Sequence, residues 1–163
     1  MAGPTSNLPT ISSAERAVTV LIVSHHEEDH DRLAGIFRKT NWKLYSARNC
    51  TEASGILRTT PIAVVLSDCE LPDGDWKVML QVAGAVPTEP LVVVASSKVD
   101  SRLCAEALNL GAYDVLAKPF DQAEVTRILS LAWLHWRDLQ VRARRQSTRE
   151  RQSDYPRRFS ATA

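Results

Sequence analysis

One carboxylate stands out by its surroundings. Ile62 to Leu66 is an apolar, largely β-branched run too short for a helix, and Leu71-Pro72-Asp73-Gly74 supplies a turn that stops it. Asp68 therefore falls just past the carboxyl end of a strand. In an open parallel sheet the loops diverge at that end and leave a crevice where ligands and reacting groups collect. A carboxylate held there is a usable covalent nucleophile. A rival signal is His26-Glu27-Glu28-Asp29-His30, which fits the HExxH pattern of zinc hydrolases. That motif needs a helix interior lining a cleft and a third ligand. Here it opens an acidic, exposed helix start, so zinc hydrolysis is set aside.

The elements that must position Asp68 are legible in order. Val18 to Val23 is the first apolar run, broken by Ser24, His25 and His26, whose loop faces the Asp68 crevice. From Glu27 to Thr40, Leu33, Ile36 and Phe37 recur at helical spacing, with Glu27, Glu28 and Asp29 in the first turn, where the helix dipole favours anions. Trp42 to Ala47 reads as a second strand, and Asn49 as the N-cap of a helix that ends before Pro61. After the Asp68 turn a third helix spans roughly Trp76 to Ala85. Leu91 to Ala95 is a fourth strand, and Asp100 or Ser101 caps a fourth helix closed by Gly111. Tyr113 to Ala117 makes a fifth strand. Asp121 then begins a long helix with Val125, Ile128, Leu129, Ala132, Trp133 and Trp136 on one face. Five strand-helix units in strict alternation imply an α/β class, a doubly wound parallel sheet with helices on both faces.

Composition bounds the function. A chain of 163 residues, 44% of them apolar, buries one ordinary core. We expect a flexible leader over 1–17, one folded domain over 18–140 and a basic, disordered tail over 141–163. A net charge of +1 argues against a surface built for nucleic acid. Cys50, Cys69 and Cys104 are odd in number and lack CxxC spacing, which fits a reducing cytoplasm. No apolar run approaches the length that spans a bilayer.

Asp68 with Pro72 four residues on, Leu91-Val92-Val93-Val94, Leu110-Gly111-Ala112 and Lys118-Pro119-Phe120 together resemble the receiver domain of two-component response regulators. The resemblance covers about Val18 to Leu139. It implies a flavodoxin-like five-stranded sheet of order 2-1-3-4-5 and a stand-alone member of a phosphorelay, not an enzyme. It also implies that Asp68 accepts a phosphoryl group from a sensor histidine kinase, with Lys118 supplying positive charge and a cis bond before Pro119.

The departures from that pattern are as specific. Ser24 and His25 stand where the family has two acidic magnesium ligands. Magnesium wants hard oxygen donors in octahedral geometry, so the implied site is degenerate and weak. Asp68 remains as a ligand, and Glu70, Glu27 or Glu28 would have to compensate. Ala95 replaces the Ser or Thr switch residue, Val115 the coupled aromatic, and Trp76 the usual glycine. The alternative reading is a pseudo-receiver adaptor that binds partners without phosphorylation. Leu131 and Leu134 lie off the buried stripe of the last helix and mark a homodimer or partner face.

Overall fold

Along the three central strands, successive apolar residues feed different clusters, because a sheet covered on both faces buries both sides of its pleat. The computed structural model describes residues 17–154. Val20, Ile22, Val64, Leu66 and Val93 join one cluster with Leu33, Phe37 and Leu129. Leu21, Val23, Val65 and Val92 join another with Ala53, Leu57 and Met79. These clusters are the two sides of one sheet. In chain order the elements are β1 Thr19–Val23, α1 Glu27–Phe37, β2 Lys43–Ala47, α2 Cys50–Thr59, β3 Val64–Asp68, β4 Glu70–Leu71, β5 Gly74–Asp75, α3 Trp76–Gly84, β6 Leu91–Ser96, α4 Ser101–Leu110, β7 Asp114–Ala117 and α5 Gln122–Ser153. The large sheet runs β2-β1-β3-β6-β7, all parallel, which is 2-1-3-4-5 when the five long strands are counted alone. Helices α1 and α5 cover one face, α2 and α3 the other.

Helix starts follow their caps. The side chains of Asn49, Asp100 and Asp121 accept from the backbone N–H of Glu52, Leu103 and Glu124, each such cap being worth about 1 kcal/mol. Asp75 does the same for α3 from Lys77 and Val78. Gly111 ends α4 with φ +104°, a left-handed conformation that costs glycine nothing.

The turn expected after Asp68 is present at Pro72 and Asp73, where it closes a small antiparallel hairpin, β4 with β5, in which a Cβ on Gly74 would sit 3.0 Å from Cys50 Sγ. One expectation needs correction: the basic segment read as a disordered tail from residue 141 is helical as far as Ser153. Residues 142–153 contain no Gly or Pro and are rich in Arg, with Gln, Ala and Glu among the rest, all good helix formers. Arg142 pairs with Asp138 one turn back, and cations near a helix C-terminus complement its dipole. At 1.5 Å per residue α5 is about 48 Å long, and its last three turns are solvent-exposed throughout. The expected leader, apart from Ala17, and the tail beyond Asp154 lie outside the described residues.

Candidate functional site

Asp68 is the last residue of β3, not the first residue beyond it. The ladder continues through it, with Asp68 opposite Ala95 of β6 and the Cys69 N–H donating to the Ala95 carbonyl. Its side chain is 10% exposed. Oδ1 accepts the Cys69 N–H at 2.9 Å and lies 3.1 Å from Lys118 Nζ. Oδ2 faces His26 Nε2 at 3.7 Å. Lys118 follows β7 directly, its own N–H donating to the Ser96 carbonyl, and the Lys118–Pro119 bond is cis. Arg32 of α1 donates through Nε to the Phe120 carbonyl, tying this loop to the first helix.

Sequence reasoning missed Asp29. Its Oδ2 pairs with Lys118 Nζ and accepts the Ser24 hydroxyl at 2.7 Å. One lysine thus lies between two largely buried carboxylates, which offsets much of the cost of burying them. Of the three acids in the first turn of α1, the two proposed as compensating ligands point elsewhere. Glu27 pairs with Arg48 at the surface, and Glu28 is exposed. Glu70, the other candidate, is exposed on the hairpin.

The loop between β1 and α1 is pinned from both sides. Ser24 Oγ accepts the His26 N–H at 3.1 Å. His30 Nε2 lies 2.8 Å from the Ser24 carbonyl, which only accepts, so that nitrogen carries a proton. His30 Nδ1 meets the Ser46 hydroxyl at 3.2 Å. The two imidazoles of the HExxH match therefore face different groups. His25 and His26, adjacent in sequence, instead lie beside Asp68, and donor atoms of the three fall within 4.8 Å of one another. No periodicity flags such a pair; the only sequence signal is their position at the end of a strand aimed at the crevice.

This donor set is a poor match to magnesium. Beside the Asp68 carboxylate stand two imidazoles, and Asp29 is engaged by Lys118 and Ser24. Magnesium demands near-ideal octahedral oxygen geometry. The switch positions are equally altered. Ala95 carries no hydroxyl, and Ser96 Oγ accepts the Lys98 N–H. Val115 packs near Trp76, Ala107 and Ala112. Burial pushes the thiol of Cys69, next to Asp68, above the usual 9.0, which disfavours its reactive thiolate form.

The hairpin is held by Asp73, whose carboxylate accepts the Cys50 N–H at 2.7 Å, the Thr51 N–H at 3.0 Å and the Thr51 hydroxyl at 2.7 Å. The Thr51 hydroxyl first, then these backbone bonds, lower its pKa from 3.8 to about 2. A depressed acid stabilises the fold fully above its unfolded value and loses that contribution as pH falls through its folded value. The stability deficit of Asp73→Ala should accordingly be largest above pH 3.8 and shrink towards pH 2. Urea unfolding of both proteins across that range checks it; a deficit that stays constant would contradict the assignment.

Comparison with known proteins agrees with this geometry. The family model described as "Response regulator receiver domain" matches residues 10–130. Over 89 residues the chain is 33% identical to the response regulator protein PilR of Pseudomonas aeruginosa, covering 53% of this chain and 20% of PilR. Over 111 residues it is 29% identical to the photosynthetic apparatus regulatory protein RegA of Cereibacter sphaeroides, covering 68% of this chain and 60% of RegA. The chain thus spans less than two thirds of these relatives. Among solved structures, the signal receiver domain of an HD domain-containing protein from Pseudomonas fluorescens superposes with a TM-score of 0.73 at 26% identity, covering 83% of this chain and 98% of that one. The receiver domain of a sensor histidine kinase from Pseudomonas aeruginosa, which has magnesium coordinated in its active-site cleft, shares the fold at a TM-score of 0.63 and 20% identity, covering 75% and 98%. With the sheet order, the Asp68 carboxylate at its carboxyl edge and the family match over most of the chain, this protein belongs to the response-regulator receiver domain family.

Proposed function

We propose that this domain is a slow phosphoacceptor in a phosphorelay, with Asp68 as nucleophile and Lys118 as the countercharge. The observation that carries the reading is a nearly buried carboxylate with a lysine 3.1 Å from one oxygen. An Asp68 oxygen forms the new bond to phosphorus while the bond from phosphorus to the donor's leaving group breaks, and that group departs with the electron pair. Little covalent work falls to the protein in such a transfer; positive charge on the phosphoryl oxygens matters most. With the donors around Asp68 poorly suited to magnesium, Lys118 is left as the main source of that charge, so transfer is slow. Incubating the chain with acetyl phosphate and reading intact mass tests this. A slowly accumulating adduct that Asp68→Asn removes is expected; no adduct, or rapid stoichiometric labelling, overturns it.

Ala95 and Val115 favour a second reading, an adaptor that binds partners through a constant shape, because neither can form the usual coupled hydroxyl and aromatic switch. Absence of any adduct selects it. In both readings the protein is a cytoplasmic signalling module, not an enzyme, and its partner is a histidine kinase or another signalling protein. Among the described residues no helix is long and apolar enough to cross a membrane. Leu131 and Leu134 on α5 are 46% and 43% exposed, and we assign them to a homodimer or partner face. Leu131→Glu with Leu134→Glu should lower the sedimentation coefficient of any dimer or weaken partner capture while leaving the circular dichroism unchanged. Unaltered association in the double variant would remove the assignment.

A further inference from the structure

We propose that His25, His26 and Asp68 form a binding site for a divalent cation of borderline softness, of which zinc is the type. The three side chains offer two imidazole nitrogens and one carboxylate oxygen, all within 4.8 Å of one another. Asp68 is oriented for the role. Its Oδ1 is held by the Cys69 N–H and Lys118, which leaves Oδ2 turned towards His26 Nε2 at 3.7 Å. Zinc bonds of about 2.0–2.1 Å in tetrahedral geometry place donor atoms about 3.3 Å apart. The His26 to Asp68 spacing is within a few tenths of an ångström of that value.

The remaining closure falls on the two imidazoles, both of which are exposed. Their rings already lie close, with centroids 3.9 Å apart. The backbone beneath them is fixed by Ser24, whose hydroxyl accepts the His26 N–H and whose carbonyl is held by His30. Among the described residues Lys118 is the lysine or arginine paired with Asp68 and opposes a cation there, while Asp29 draws on that charge from the other side. Two imidazoles and one carboxylate leave a fourth tetrahedral position for water. Imidazole suits zinc, copper and nickel, whereas magnesium keeps to oxygen ligands, so the same crevice has changed its metal preference. This site does not require Asp68 to be phosphorylated, and its test uses no phosphodonor.

The test is calorimetric titration of the untagged full chain with zinc chloride and, separately, magnesium chloride. Zinc is expected to bind one per chain, and magnesium to give no saturable heat at the concentrations that saturate zinc. His25→Ala and His26→Ala, both at exposed positions, should each weaken zinc by at least about tenfold, about 1.4 kcal/mol, with nitrogen-15 shifts of the two rings moving on zinc addition. Cys69→Ser should leave zinc affinity unchanged. The proposal is overturned if zinc fails to saturate, if neither histidine variant weakens it, if magnesium binds as tightly, or if Cys69→Ser abolishes binding.

Discussion

Lys118→Met is expected to slow the labelling of Asp68 by acetyl phosphate about a hundredfold, equivalent to about 2.7 kcal/mol of transition-state stabilisation. Among the described residues Lys118 is the one lysine or arginine paired with Asp68. The effect should be large for a second reason. In most such sites a bound metal shares the charge on the transferring group, but the donors around Asp68 are ill suited to magnesium, so little remains once the ammonium is removed. Lys118→Arg should restore part of the rate, since it returns the charge with altered geometry. Pseudo-first-order labelling rates from intact mass are the measurement, with circular dichroism to show that each variant folds. A Lys118→Met rate within about threefold of the parent would mean that the charge does not reach the phosphoryl group, since a functioning donor is worth far more.

Leu129→Ala is expected to lower stability by about 3 kcal/mol, within the range measured for buried leucines, and so to remove a large part of the 5–15 kcal/mol that is typical of a folded domain. Leu129 is fully buried in the cluster that joins α5 to the central strands. Leu131, two residues on, points away and is 46% exposed, so Leu131→Ala should change stability by no more than about 0.5 kcal/mol. Urea unfolding of the two variants separates the buried stripe of α5 from its outer face. Equal losses would place Leu131 in the core and withdraw it from any partner surface.

The succession of strands and helices along the chain, the cap at Asn49, a cap at Asp100 or Ser101, of which the structure uses Asp100, the start of the last helix at Asp121 and the left-handed Gly111 were legible, because each depends on residues a few positions apart. The burial of Val125, Ile128, Leu129 and Ala132 followed from helical spacing for the same reason. Asp68 could be singled out by its place at the carboxyl end of a recognisable strand, and Lys118 by the resemblance of Lys118-Pro119-Phe120 to the receiver motif. Helicity beyond residue 141 was also encoded locally, in an Arg-rich run without Gly or Pro, but the weight of charge read as disorder.

What the sequence could not say is which side chains meet across the crevice. Glu27, Glu28 and Asp29 share one helical turn and differ by about 100° each in direction, so the docking of α1 on the sheet decides which one turns inward. That docking selects Asp29 and brings it to Lys118, 89 residues away. It likewise turns His26 towards Asp68 and His30 towards Ser24 and Ser46, although the two histidines are spaced for a common ligand. Local pattern specifies where the backbone goes; only the packed sheet and helices set the directions in which short polar side chains converge, and the chemistry proposed at Asp68 depends on those directions.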